Sequence, residues 1–199
     1  MISCLSRSLC RRVAIFLVFG AASALSLGAQ LSYAAPAAGV DFADELTAAG
    51  QKLLLNGTGL RTRLFFKVYA AGLYVTEKSK DAESIVRSPA AKVLQLHFLR
   101  DVGAETIRGA WSQGFAKNCL SLCDESQAKL ALLNGLMKDL KKGDVLSFSF
   151  KPDELAVELN GASLGKLDGA KIDQNILAIF LGKEPPTAEL KTGLLGLQK

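Results

Sequence analysis

The residue pattern predicts an α+β domain in which a mostly antiparallel sheet is covered on one face by helices. Two observations carry that prediction. Strand-like segments, helix-like segments, strands again and helices again follow one another along the chain, an order that suits segregated layers rather than alternating βαβ units. The connections are short and rich in turn residues, with Asn160-Gly161 the strongest hairpin signal.

Residues 1–34 read as an export signal: Arg7, Arg11 and Arg12 without an acid, an apolar run from Val13 to Ala29, then small residues. Glycine, alanine and serine dilute the second half of that run, whereas a spanning helix needs about 20 firmly apolar residues. Ser32 and Ala34 satisfy the small-x-small rule, so the mature domain is expected to be 35–199, starting at Ala35. Arg11-Arg12 lacks the rest of a twin-arginine motif, so general secretion is expected. The domain is then periplasmic, with no stable membrane span after cleavage.

From Val40 to Leu55 the pattern is one or two strands, closed by a tight turn at Asn56-Gly57. Arg63 to Val75, rich in Phe, Val, Tyr and Leu, reads as one long central strand buried on both faces. Asp81 to Arg87 is a short helix stopped by Pro89. Ala91 to Phe98 alternates, with Leu94, Leu96 and Phe98 on one face and His97 on the more polar one. Ala104 to Lys117 repeats apolar residues at Ile107, Trp111 and Phe115, and Ala128 to Leu140 at Leu132, Leu136 and Leu140, so two amphipathic helices are expected. Asp144 to Phe150, Glu154 to Leu159 and Ser163 to Leu167 form a meander, and Ile172 to Leu181 and Ala188 to Leu195 are closing helices.

Charge excludes one function class. The leader holds three of the 24 basic residues and none of the 19 acids, so the remainder carries 21 against 19 with no basic stripe. Nucleic-acid binding is not expected. Cys4 and Cys10 leave with the leader, and Cys119 and Cys123 are then candidates for a small-loop disulfide if a helix ends between them. Asp124 to Gln127 reads as a capping box that would provide that end. With His97 the only histidine, no metal site is expected; no phosphate loop, catalytic triad or HExxH appears, so neither a cofactor nor a catalytic residue is assigned.

Four stretches together carry a resemblance: LNGTGLRTRLFFKVYAAGLYV (55–75), FLRDVGAETIRGAW (98–111), GDVLSF (143–148) and LNGASLGKLDGAKIDQNILAIFLGKEPPTAELKTGLLG (159–196). They resemble the bacterial chalcone isomerase-like proteins, in order and over most of the domain. The resemblance implies an open-faced β-sandwich with a ligand cleft between sheet and helices. It also implies two functional branches, isomerases that close a chalcone ring and non-catalytic relatives that bind fatty acids.

By that resemblance Arg61 and Asn118 match cleft positions of the isomerases. Tyr69 and Ile179 stand where those enzymes have threonines, and Trp111 where they have a tyrosine; the hydroxyls lost at Trp111 and Ile179 remove transition-state hydrogen bonds. Arg61 with Tyr69 matches the pair that clamps a fatty-acid carboxylate in the binding branch, a task that suits a guanidinium's two parallel N–H donors. The expected ligand-binding residues are therefore Arg61, Tyr69, Trp111, Asn118 and Ile179, and the expected partner is a small amphipathic acid, a fatty acid or similar; oligomeric state stays open. An isomerase-type lyase acting on an enone and a structural protein with a cleft filled by Trp111 and Phe180 are the alternatives. An unbroken strand would hold Arg61 and Tyr69 about 26 Å apart, so the clamp requires a turn or bulge near Arg63. Each residue also has a plainer role: Arg61 could satisfy turn carbonyls, Tyr69 and Trp111 could be core, and Asn118 a helix cap.

Overall fold

Asn160 and Gly161 both take positive φ, 52° and 78°, and the two-residue turn they make joins β6 (Glu154–Leu159) to β7 (Ala162–Asp168). The computed structural model describes residues 38–48 and 50–198; the export-signal assignment lies outside them. Among the described residues seven strands pair in chain order, each antiparallel to the next: β1 (Glu45–Ala48), β2 (Gln51–Arg63), β3 (Phe66–Val75), β4 (Lys92–Phe98), β5 (Val145–Lys151), then β6 and β7. The result is an open-faced α+β sandwich with a curled sheet. Among the described residues no helix is long and apolar enough to cross a membrane.

Five helices among the described residues supply the other layer: α1 (Ala82–Arg87), α2 (Ala104–Asn118), α3 (Cys123–Leu136), α4 (Ile172–Leu181) and α5 (Ala188–Leu194). α1 begins at Asp81, whose carboxylate accepts from the Glu83 and Ser84 N–H groups. α4 is apolar almost all round, the signature of a helix buried on every side, and it packs against α1, α2, α3 and α5. The main core fills the space between this layer and Leu94, Leu96, Leu146 and Phe148 of the sheet. A smaller cluster on the opposite sheet face sets Phe42 against Leu53, Leu55, Ala70, Tyr74 and Val93.

Two strand expectations are corrected. Asn56-Gly57 is not a turn but lies within β2, at a register shift between Leu55 and Gly57. The pair serves contact with α5 instead: Asn56 Nδ2 donates to Leu194 O (2.8 Å), and a Cβ on Gly57 would stand 2.2 Å from Gly193 O. Gly59 and Gly193 are equally tight, so this glycine seam lets helix backbone lie directly on strand backbone. The stretch 63–75 is not one strand either. Leu64 takes φ 56° and, with Phe65, reverses the chain between β2 and β3. A leucine in that conformation carries no sequence signal for a turn.

The helix after the cysteines also differs from expectation. It runs from Cys123 rather than Ala128, starts from Leu122 in the left-handed region (φ 50°) without a side-chain cap, and buries Ser126, Leu130 and Leu133. Leu132 is 61% exposed, and Leu140 lies beyond the helix, bridged to Val102. Polar bonds set that face: Asn175 Nδ2 donates to Ser126 Oγ (2.7 Å), and Ser126 Oγ donates to Ala170 O.

Candidate functional site

The reversal at Leu64-Phe65 decides the site. It places Arg61 of β2 directly opposite Tyr69 of β3, just before a register shift between Arg61 and Thr62. Residues opposed in an antiparallel pair share one sheet face, with Cβ atoms about 5 Å apart. The Arg61 guanidinium carbon stands 5.6 Å from the Tyr69 ring centroid, and both side chains line a cavity of about 410 Å³ between the hairpin end and α2. Its walls are largely apolar, from Phe66, Val68, Phe98, Ile107 and Trp111. Tyr69 is buried, with its ring 5.6 Å from that of Phe98.

A second, smaller recess of about 130 Å³ lies on the α4 side of Trp111, bordered by Arg61, Tyr69, Trp111, Ile179 and Phe180 and, toward solvent, by Lys117 and Glu184. Trp111 is held edge-on to Phe148 at 5.4 Å, so the indole is a fixed partition between the two spaces. Ile179 is buried where α4 meets α2, and its Cγ2 occupies the place a Cβ on Gly114 would need. Trp111 and Phe180 border these spaces, yet a cavity of about 410 Å³ stays open beside Arg61 and Tyr69.

Electrostatics favour an anionic guest. Burial pushes the Tyr69 phenol up, the nearby Arg61 charge acting in the opposite direction without overcoming it. The phenol thus stays a neutral proton donor beside a fixed positive charge. The acid of the outer lining, Asp101, is engaged elsewhere: its carboxylate accepts from the Lys142 N–H (2.9 Å) and from Lys141 Nζ (3.2 Å), which hold it below the usual carboxylate range.

Asn118 does not face the cavity. Its Nδ2 donates to Gly114 O and Glu184 O, both at 2.9 Å, and its Oδ1 accepts from Glu184 N at 2.9 Å. That arrangement closes the end of α2 onto the segment after α4, and it commits both ends of the amide to backbone partners. Cys119 and Cys123 form a disulfide, with Cα atoms 5.9 Å apart. α2 ends at Asn118, and the left-handed Leu122 brings the chain back between the two thiols.

Sequence reasoning missed Arg63 and Arg100, which also line the mouth. Arg63 is two residues from Arg61 on one strand, so the period of two alone could have placed it on the same face. Arg100, in the bend after β4, lies over the Phe66 ring at 4.6 Å, a long-range contact that no local pattern announces. His97 packs on Phe42 (ring centroids 4.7 Å) with Nε2 buried and unpartnered, and burial lowers its pKa. Among the described residues no cluster of His, Cys, Asp and Glu could hold a metal ion.

With this geometry in view, comparison with known proteins gives a family and a fold neighbour. A family model described as chalcone isomerase-like matches residues 34–196. No match was found among curated proteins. Among solved structures, the crystal structure of a fatty-acid binding protein from Arabidopsis thaliana is similar with a TM-score of 0.65 and 16% identity, over 81% of this chain and 94% of that one. At that identity the likeness establishes the fold.

Proposed function

The chain belongs to the chalcone isomerase-like family, and on that premise we propose that it is a non-catalytic binder of a small amphipathic acid, of which a fatty acid is the best fit. One observation carries this reading: a guanidinium and a buried neutral phenol stand together at the wall of an apolar cavity. Arg61 offers paired N–H donors to a carboxylate, Tyr69 offers an O–H, and the apolar walls take the chain. The Arabidopsis neighbour is a fatty-acid binding protein, which supports the same ligand class. The Trp111 and Ile179 side chains add no hydroxyl to the site, which supports binding without ring-closing catalysis. We further propose that residues 1–34 are an export signal and that the domain works in the periplasm, a reading supported by the Arg7, Arg11 and Arg12 cluster ahead of the apolar run from Val13 to Ala29.

The chain has one tryptophan, Trp111, and it stands in the cavity wall, so quenching of its fluorescence by palmitate reports binding. A charge-assisted contact contributes about 1.5–3 kcal/mol, so Arg61→Ala should weaken palmitate about 10- to 150-fold. Unchanged affinity in a folded Arg61→Ala protein would remove the clamp. Chalcone turnover that disappears in the same variant would establish the isomerase alternative instead.

A further inference from the structure

The tip of the β2–β3 hairpin is the most exposed apolar feature of the described surface. Leu64 is 82% exposed, Phe65 95% and Phe66 57%, three large apolar residues in succession. Phe66 has a partner in Arg100, but folding gives no reason for the exposure of Leu64 and Phe65. Leu64 also holds φ 56°, where a glycine or asparagine would sit with less strain. A strained, solvated leucine beside a solvated phenylalanine points to a use outside the fold.

The surroundings say what kind of partner fits. Arg63 and Lys67 are exposed on the two strands at the tip, and Arg100 is exposed beside Phe66. Arg61 lies just behind them. Asp101, the nearest acid of the mouth, is already bonded to Lys141 and Lys142. A narrow apolar tip within a cationic collar matches the interface of an anionic bilayer, where the rings enter the boundary of the acyl layer and the cations meet headgroup phosphates. A second copy of the chain fits less well, because a two-fold contact through the tips would bring the two collars together.

We propose that the Leu64-Phe65-Phe66 tip docks the protein on anionic phospholipid membranes. Leu64, Phe66, Arg61, Arg63 and Arg100 also line the cavity mouth, so docking seats the opening against the headgroups and spares an apolar chain the passage through water. Only that last consequence rests on the ligand reading above; docking itself does not.

The test is co-sedimentation of the purified protein with vesicles of phosphatidylcholine alone and of equal parts phosphatidylcholine and phosphatidylglycerol. Binding is expected to the second and not the first, and to weaken with added salt. Phe65→Ser should reduce it about tenfold or more, and Lys67→Glu at least about fivefold. Leu64→Asn gives the sharpest comparison: its urea midpoint should hold or rise as the strain is relieved, while vesicle binding falls. No binding of the wild type to anionic vesicles, or equal binding by the tip variants, overturns the proposal. A concentration-dependent dimer that Phe65→Ser dissolves, without vesicle binding, would assign the tip to self-association. Palmitate quenching of Trp111 without vesicles reports separately on the cavity, so either reading can fail alone.

Discussion

Gly57→Ala tests the seam that carries the site. A Cβ there would lie 2.2 Å from Gly193 O, 2.6 Å from Gly196 N and 2.9 Å from Leu194 O, all backbone atoms that cannot rotate away. Ordinary contact begins at 3.4 Å, so α5 would have to withdraw by the difference, about 1.2 Å. A gap of that size forfeits up to about half of the dispersion attraction across it, and α5 buries Leu190 and Leu194 completely. Overpacking of this kind costs about 1–3 kcal/mol. Stretching the 2.8 Å bond from Asn56 to Leu194 O adds about 1 kcal/mol. The expected loss is therefore about 2–4 kcal/mol, read from urea unfolding followed by circular dichroism. Gly109→Ala is the control, since nothing lies within 4 Å of a Cβ at that position inside α2, and it should gain about 0.5–1 kcal/mol. A Gly57→Ala loss below about 0.5 kcal/mol, within the range of surface substitutions, would refute direct backbone packing as the reason for the glycine.

Other measurements probe the remaining parts. Tyr69→Phe keeps the ring and removes one donor, so palmitate affinity should fall about two- to tenfold by Trp111 quenching. Asn118→Ala leaves the Glu184 backbone groups unpaired and should cost about 1–3 kcal/mol in urea, while palmitate affinity stays within about twofold; a larger drop would return Asn118 to the site. Reducing the Cys119–Cys123 disulfide frees a loop with a sequence separation of four, which the chain-entropy model values at about 2 kcal/mol, measurable as a lower urea midpoint in dithiothreitol. Burial depresses the His97 pKa below its ordinary 6.5, so the folded state binds this proton less well than the unfolded one. Its stabilising contribution is present above pH 6.5 and lost as pH falls through the folded pKa. His97→Phe should flatten that part of the stability profile relative to wild type, and parallel profiles would exclude His97 as the cause.

Local pattern alone determined much of this protein. The alternation of Leu94, Leu96 and Phe98, the helical spacing of Ile107, Trp111 and Phe115, and the Asn160-Gly161 turn each lie within one element or one two-residue connection, where spacing and turn chemistry act. From their order followed the layered α+β class, and from longer stretches the family resemblance with Arg61 and Tyr69 as a pair. Tertiary structure decided what those two residues do together. The reversal that pairs them depends on Leu64 accepting a left-handed backbone, a local cost offset by a pairing that extends along β2 and β3. Likewise Asn56-Gly57 has the composition of a turn, but α5, more than 130 residues away, needs a bare strand to lie on. Such long-range contacts outweigh local propensity because they are many and cooperative, and no window of sequence contains both partners.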